Sequence, residues 1–184
     1  MNGERSSKTQ IWKTSSHRTV QSLTSVPPGI DIFIDANIFV YGLNRMSAQC
    51  LQLLERCSRE EVTGISLFEI VNEATHKFML AEARSKGLIT RENASELRQR
   101  FAAIPRLIDY WRETERILAL NLLFFSTNER IVRSAQSERQ GAGLLTNDSM
   151  IMSCMREYGI QYLATADRDF DRASGITVFG PDDL

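Results

Sequence analysis

Ile30-Asp31-Ile32-Phe33-Ile34-Asp35-Ala36-Asn37-Ile38-Phe39-Val40-Tyr41 decides how the chain is read. β-branched and aromatic residues run straight through an acidic step at Asp35-Ala36-Asn37, the pattern of a buried central strand whose carboxyl end emerges at Asp35. In an open α/β sheet ligands gather outside the carboxyl ends of the strands, so a carboxylate leaving a central strand there is placed to hold a cation. The competing reading is structural: Asp35 caps the next helix or closes a turn with its own backbone.

Working outward, Met46, Cys50, Leu53, Leu54 and Cys57 recur at helical spacing, and 60–65 reads as a short strand. Ser66-Leu67-Phe68-Glu69 opens a helix striped by Leu67, Ile70, Val71, Ala74 and Phe78. Ser-x-x-Glu there has the form of a capping box, so the carboxylate of Glu69 has a structural role open to it as well as a chemical one. Glu69 and Glu73 share a face of that helix away from the apolar stripe. Lys86-Gly87 ends it, and a helical stretch from Thr90 and Asn93, interrupted at Pro105, resumes to about Leu120. Arg91, Arg98, Arg100, Arg106, Arg112 and Arg116 punctuate that hairpin among acids, as on a solvated face, and Tyr110 and Trp111 are read as packing residues that could also stack on bases.

Residues 121–125 then read as a buried strand, and 128–140 as a helix with Ile131, Val132 and Ala135 inward, closed by Gly141-Ala142-Gly143. Leu145-Thr146-Asn147-Asp148 leads into a helix striped by Met150, Ile151, Cys154, Met155 and Tyr158, where Asp148 in the first turn also complements the macrodipole. A short strand, Tyr162 to Ala164, ends in Thr165-Ala166-Asp167-Arg168-Asp169, with a last strand at 176–179. The order β-α-β-α-αα-β-α-α-β-β points to a mostly parallel central sheet with helices on both faces, a Rossmann-like three-layer α/β sandwich.

Residues 1–29 are set apart by ten Ser or Thr, four Lys or Arg against one acid, and Pro27-Pro28-Gly29. They read as a flexible N-terminal arm preceding a single domain over 30–184. The whole chain has 22 basic and 23 acidic residues, so net charge does not make it a general binder of nucleic acid or membrane. Three cysteines without CxxC spacing, no long apolar run and no signal-peptide layout describe a soluble, cytoplasmic protein with no membrane span.

Asp35, Glu69, Asp148 and Asp167 thus come from strand exits and helix starts, and like charges gathered without bases repel unless a divalent cation neutralises them. Oxygen-only ligands suit Mg²⁺ or Mn²⁺, and His17 and His76 have no partner spacing for zinc. A Walker loop, a GxGxxG after the first strand and a GxSxG elbow are absent from the sequence.

Taken together, Phe33 to Tyr41, Ser66 to Glu69 with Asn72-Glu73, Leu145 to Asp148 and Ala164 to Phe170 resemble the PIN domain, and more narrowly its VapC toxin branch, over Ile30 to about Pro181. The resemblance implies a Mg²⁺- or Mn²⁺-dependent endoribonuclease acting on an RNA substrate, a homodimer, and an antitoxin protein as partner. It assigns Asp35, Glu69, Asp148 and Asp167 as metal-binding and catalytic acids, with Asp169 sharing or replacing Asp167, and Asn37, Ser66 and Thr165 in support. The arm and the long helical hairpin depart from the compact toxin pattern. A non-catalytic PIN-like scaffold for RNA or protein is the alternative of a different class. A haloacid dehalogenase-type phosphatase needs a second Asp where Asn37 stands.

Overall fold

A computed structural model describes residues 20–184. Six parallel strands form one sheet in the order β1-β6-β5-β2-β3-β4: β1 (Gln21–Ser22), β2 (Asp31–Ile34), β3 (Thr63–Leu67), β4 (Leu123–Phe125), β5 (Tyr162–Ala164) and β6 (Thr177–Gly180). The helices joining them are α1 (Ala36–Leu43), α2 (Ala48–Ser58), α3 (Phe68–Ser85), α4 (Ala94–Gln99), α5 (Asp109–Ala119), α6 (Glu129–Ala142) and α7 (Thr146–Tyr158). The mostly parallel sheet expected from the sequence is here wholly parallel.

Strand β2 lies at the middle because its three apolar residues can be buried nowhere else: Ile32, Phe33 and Ile34 are all solvent-free. From it the chain builds outward through β3 and β4, then returns to the opposite side for β5 and β6. The order therefore reverses between β2 and β5, where the loops leaving two adjacent strands diverge and open a crevice. Register fixes the loops precisely: Ile34 pairs with Ala164, so Asp35 and Thr165 leave the sheet side by side.

The segment read as the end of the arm is part of this architecture. Gln21 and Ser22 pair with Phe179 and Gly180, and Leu23 and Val26 are buried in the main core. Two apolar side chains sufficed to hold a stretch whose composition resembles a linker, while the remainder of that arm, 1–19, lies outside the described residues. Other local differences have equally local causes. Strand β3 starts at Thr63 rather than residue 60 because Glu60, with φ of 59°, is in a left-handed turn after α2. Val132 is exposed, so α6 buries only Ile131 and Ala135. Met46 and Tyr158 are likewise exposed, although Tyr158 packs its ring 4.4 Å from that of Phe125. Cys50, Cys57 and Cys154 are free and buried.

The helical hairpin carries a small second core of Leu80, Ala83, Ile89, Leu97 and Leu107. Pro105 falls in a 3₁₀ turn, Phe101–Arg106, and the chain resumes as α5. Its first residues have no local cap. Glu82, reaching across from α3, supplies one: its buried carboxylate accepts from Ile108 N (2.9 Å) and Tyr110 N (2.8 Å) and pairs with Lys86. Of the hairpin arginines, Arg112 pairs with Asp109 and Arg116 with Glu113, as befits a solvated face, and Trp111 is exposed beside half-buried Tyr110.

Glu82 also makes a pH prediction. Burial alone raises a carboxyl pKa, but Lys86 and the α5 amides outweigh it and bring Glu82 down to about 2 from 4.5. Because the folded value is depressed, its stabilisation is complete above about pH 4.5 and is lost as pH falls toward 2, amounting to about 3 kcal/mol by linkage. Glu82→Gln is expected to lower stability at pH 7 by about 2 kcal/mol and to flatten the acid limb of thermal unfolding below pH 4.5. An acid limb identical to that of the wild type contradicts this assignment.

Candidate metal centre

At the reversal point the chain ties the two strand ends together through one carboxylate. Asp35, 6 % exposed, is the N-cap of α1 and accepts from Ala36 N at Oδ1 (2.6 Å). Its Oδ2 accepts from Asn37 Nδ2 (2.6 Å) and from the Thr165 hydroxyl (2.7 Å). Asn37 donates also to Thr165 Oγ1 (3.1 Å), and its own Oδ1 accepts from Ala166 N (2.9 Å). Thr165 Oγ1 in turn accepts from Asp167 N (2.9 Å). The β2 and β5 loops are thereby one hydrogen-bonded unit. Asp35 performs the capping role open to it in the sequence and, through the same carboxylate, ties the two loops together.

Three further carboxylates converge beside this unit. One oxygen from each of Asp148, Asp167 and Asp169 lies within 4.8 Å of the others. Asp148 comes from the first turn of α7, Asp167 caps the 3₁₀ turn Arg168–Arg172 by accepting from Asp169 N (2.8 Å), and Asp169 pairs with Arg172 (2.8 Å). Asp167 and Asp169, left as alternatives by the sequence, are brought together.

Helix α3 contributes Glu73, which shares a helix face with Glu69. Glu73 accepts from Asn147 Nδ2 (2.7 Å), the residue before Asp148, and pairs with Lys77 Nζ (2.8 Å). Its charge is felt by both Asp35 and Asp148. Glu69, one turn earlier, has its interactions elsewhere: Oε1 accepts from Thr127 N (3.3 Å), beyond the end of β4, and its charge bears on Cys154. Oε2 of Glu69 is buried and has no hydrogen-bond partner. Ser66 departs from its expected capping role. It belongs to β3 and donates its hydroxyl to Ile34 O (2.9 Å), while the α3 N-cap is Leu67 without a side-chain bond. The capping box fails because the β2 carbonyl, at the end of its strand, takes the hydroxyl first. The signal that could have drawn attention to Glu73 is its spacing: residues 69, 73 and 77 stack on one helix face, and of these Glu73 is hydrogen-bonded to Asn147 at the start of α7.

Electrostatics follow from this crowding. Burial pushes Asp35 up to about 6, against hydrogen bonds from Thr165 and Ala36 that favour its charged form, and the Glu73 charge pushes the same way as burial. Asp148 is raised by burial, then by Asp167, Asp169 and Glu73. Glu73 is itself lowered: burial acts to raise it, but the bonds from Lys77 and Asn147 prevail. The site thus stores like-charge repulsion that protons or a cation relieve. All the candidate ligand atoms are carboxylate oxygens, the donor set of a hard divalent ion, and the convergent trio with raised Asp148 fits one.

A parallel sheet with acids gathered at its reversal point defines a recognisable class of α/β domain. The model of one family, the PIN domain, matches residues 32–176, and the chain belongs to that family. Among curated proteins none matches the chain. Similar solved structures are VapBC2 from Rickettsia felis bound to a DNA fragment from its promoter (TM-score 0.54, 15 % identity, 82 % of this chain and 98 % of that one) and a toxin-antitoxin complex from Klebsiella pneumoniae (0.50, 16 %, 79 % and 94 %). A third is VapC20 from Mycobacterium tuberculosis, a sarcin-ricin loop cleaving toxin (0.52, 12 %, 80 % and 98 %). At these identities what is shared is the fold, here that of VapC toxins.

The raised pKa of Asp35 has a measurable sign. A carboxyl whose folded value exceeds its unfolded one loses stabilisation as pH rises between the two, here from about 3.8 to about 6. In chelator, the stability of Asp35→Asn relative to wild type should therefore shift in favour of the variant by about 2–3 kcal/mol between pH 4 and pH 6.5. A difference that stays constant with pH across this range refutes the buried, strained carboxylate.

Proposed function

We propose that the protein is a divalent-cation-dependent endoribonuclease that hydrolyses RNA phosphodiester bonds, the toxin member of a toxin–antitoxin pair. The observation that carries this reading is the convergence of Asp148, Asp167 and Asp169 beside buried Asp35 at the reversal point of a PIN-family sheet. The solved neighbours lend support, two being toxin–antitoxin assemblies and one an RNA-cleaving toxin by their descriptions. An antitoxin protein and a second copy of the chain are the partners this reading implies. Among the described residues no helix is long and apolar enough to cross a membrane.

Asp35, Asp148, Asp167 and Asp169 would hold Mg²⁺ or Mn²⁺, with Glu73 the α3 acid best coupled to them. Such an ion, when bound, lowers the pKa of attached water and offsets charge on a phosphodiester. The chain's own contribution is orientation. Asn37 and Thr165 fix the Asp35 carboxylate and leave it little rotational freedom, so the ligand set is formed before substrate arrives. Asn147 does the same for Glu73. Burial raises Asp35 to about 6, so activity should fall as pH drops through about 6, where Asp35 takes up its proton.

Cleavage of structured and unstructured RNA by the purified full chain, with Mg²⁺, Mn²⁺ or chelator, tests the proposal. Cation-dependent cutting is expected, lost by at least about 100-fold in Asp35→Asn and Asp148→Asn, the scale on which removing a precisely placed charged group from an active site acts. Between the two α3 acids, Glu73→Gln should cost much more than Glu69→Gln. Cutting that persists in chelator, or in both Asp variants, overturns the proposal, and a reversed order of the glutamates returns Glu69 to the site.

A further inference from the structure

Besides Arg172, which pairs with Asp169, a basic side chain of α3 stands against the acidic site, and nothing in the metal chemistry above uses it. Lys77 lies one turn beyond Glu73 on α3, with Nζ 2.8 Å from Glu73 Oε1, and feels the charge of Asp35. Its side chain is 42 % exposed, so the ammonium is anchored without being enclosed. An ammonium has three N–H donors, and Glu73 is its one hydrogen-bond acceptor among the described residues. At least one donor is left for a further anion.

Lys77 also lines a cleft of about 500 Å³ between α1 and α3, with Asn37, Val40, Tyr41, His76 and Leu80. Asn37 belongs to the Asp35 knot, so the cleft opens directly from the acidic site. The acid in its lining, Glu92, is offset by Arg84 (3.1 Å). The walls thus combine one cation with unspent donors, polar Asn37 and His76, and apolar surface from Val40, Tyr41 and Leu80, in a volume within the usual range for a small-ligand site.

We propose that Lys77 is a substrate-positioning residue: held by Glu73 at the mouth of this cleft, it binds a non-bridging phosphate oxygen of the nucleic-acid strand next to the bond being cut. This rests on the nuclease reading above and adds to it the path of the strand, out of the acidic site between α1 and α3. The physical need is plain. A site of four or five carboxylates repels a polyanion, and a fixed cation at its rim attracts the strand and sets its register. Holding the ammonium on Glu73 costs the bound state less ordering of a flexible side chain.

The test uses the Asp148→Asn full chain, in which cutting is silenced, as the common background for Lys77→Met, Lys77→Gln and Lys77→Arg. Binding of a short single-stranded RNA is followed by fluorescence anisotropy over a range of salt concentrations. Loss of one charge-assisted phosphate contact should weaken binding about tenfold in the Met and Gln variants and make the slope of log Kobs against log salt shallower by about 0.7, with Arg restoring both. Equal affinity and slope in all four proteins overturn the proposal. In the Asp148-intact enzyme, Lys77→Met should raise KM with kcat within about threefold, the mark of lost uniform binding. A fall in kcat alone overturns it too and assigns Lys77 to the support of Glu73. Continued cutting by Asp148→Asn, or none by wild type, defeats the nuclease reading instead, and the salt slope still reports on Lys77.

Discussion

The bond on which the site depends is the one between Thr165 and Asp35. It joins the residue after β5 to the residue after β2, 130 positions apart in sequence, at 2.7 Å and out of contact with water. Two strands built at opposite ends of the chain have to be neighbours, in the register that pairs Ile34 with Ala164, for this bond to form. Everything local follows from that register. Asn37 can then reach Ala166, Thr165 can receive Asp167 N, and the acids of the β5 loop are delivered to α7. The arrangement is held by β2 itself, whose solvent-free Ile32, Phe33 and Ile34 leave no second position in the sheet where it could lie. A one-residue slip would turn those side chains to the opposite face and separate Asp35 from Thr165.

Stability and function pull in opposite directions here. Burial makes the charged form of Asp35 unfavourable and does the same for Asp148, where the charges of Asp167, Asp169 and Glu73 add to it. Among the described residues neither group has an ion-pair partner of its own; of the nearby bases, Lys77 is engaged by Glu73 and Arg172 by Asp169. Proteins accept such strain where a ligand will remove it, and in the proposed reading the all-oxygen trio would supply the ligand atoms. Elsewhere the same chemistry is used without tension. Glu82 is also a buried carboxylate, but Lys86 and backbone amides satisfy it, so it stabilises the hairpin and its pKa moves the other way.

Much of this was legible in the sequence because it rests on short-range patterns. The apolar run into Asp35 identified the central strand, alternation of strand and helix identified the parallel sheet, and acids at strand exits identified Asp35, Asp148, Asp167 and Asp169 as candidates. What was not legible depends on which turn of a helix meets which neighbour. Glu69 and Glu73 lie on one face with equal claims, and what sets them apart is their partners, Thr127 and Asn147, residues more than 55 positions away. Ser66 spelled a capping box, yet its hydroxyl is taken by Ile34 O across the sheet. The ordered end of the arm escaped notice because two residues of strand pairing and two buried side chains leave little trace in composition.

The central claim is that these acids form a divalent-cation site, and titration calorimetry of Mg²⁺ and Mn²⁺ into the chelator-treated full chain tests it without reference to any substrate. Saturable binding is predicted for the wild type at pH 7.5, weakened at pH 5.5 where Asp35 carries its proton, and absent in Asp148→Asn. Heats that are unsaturable in the wild type, or identical in the variant and at both pH values, would contradict it.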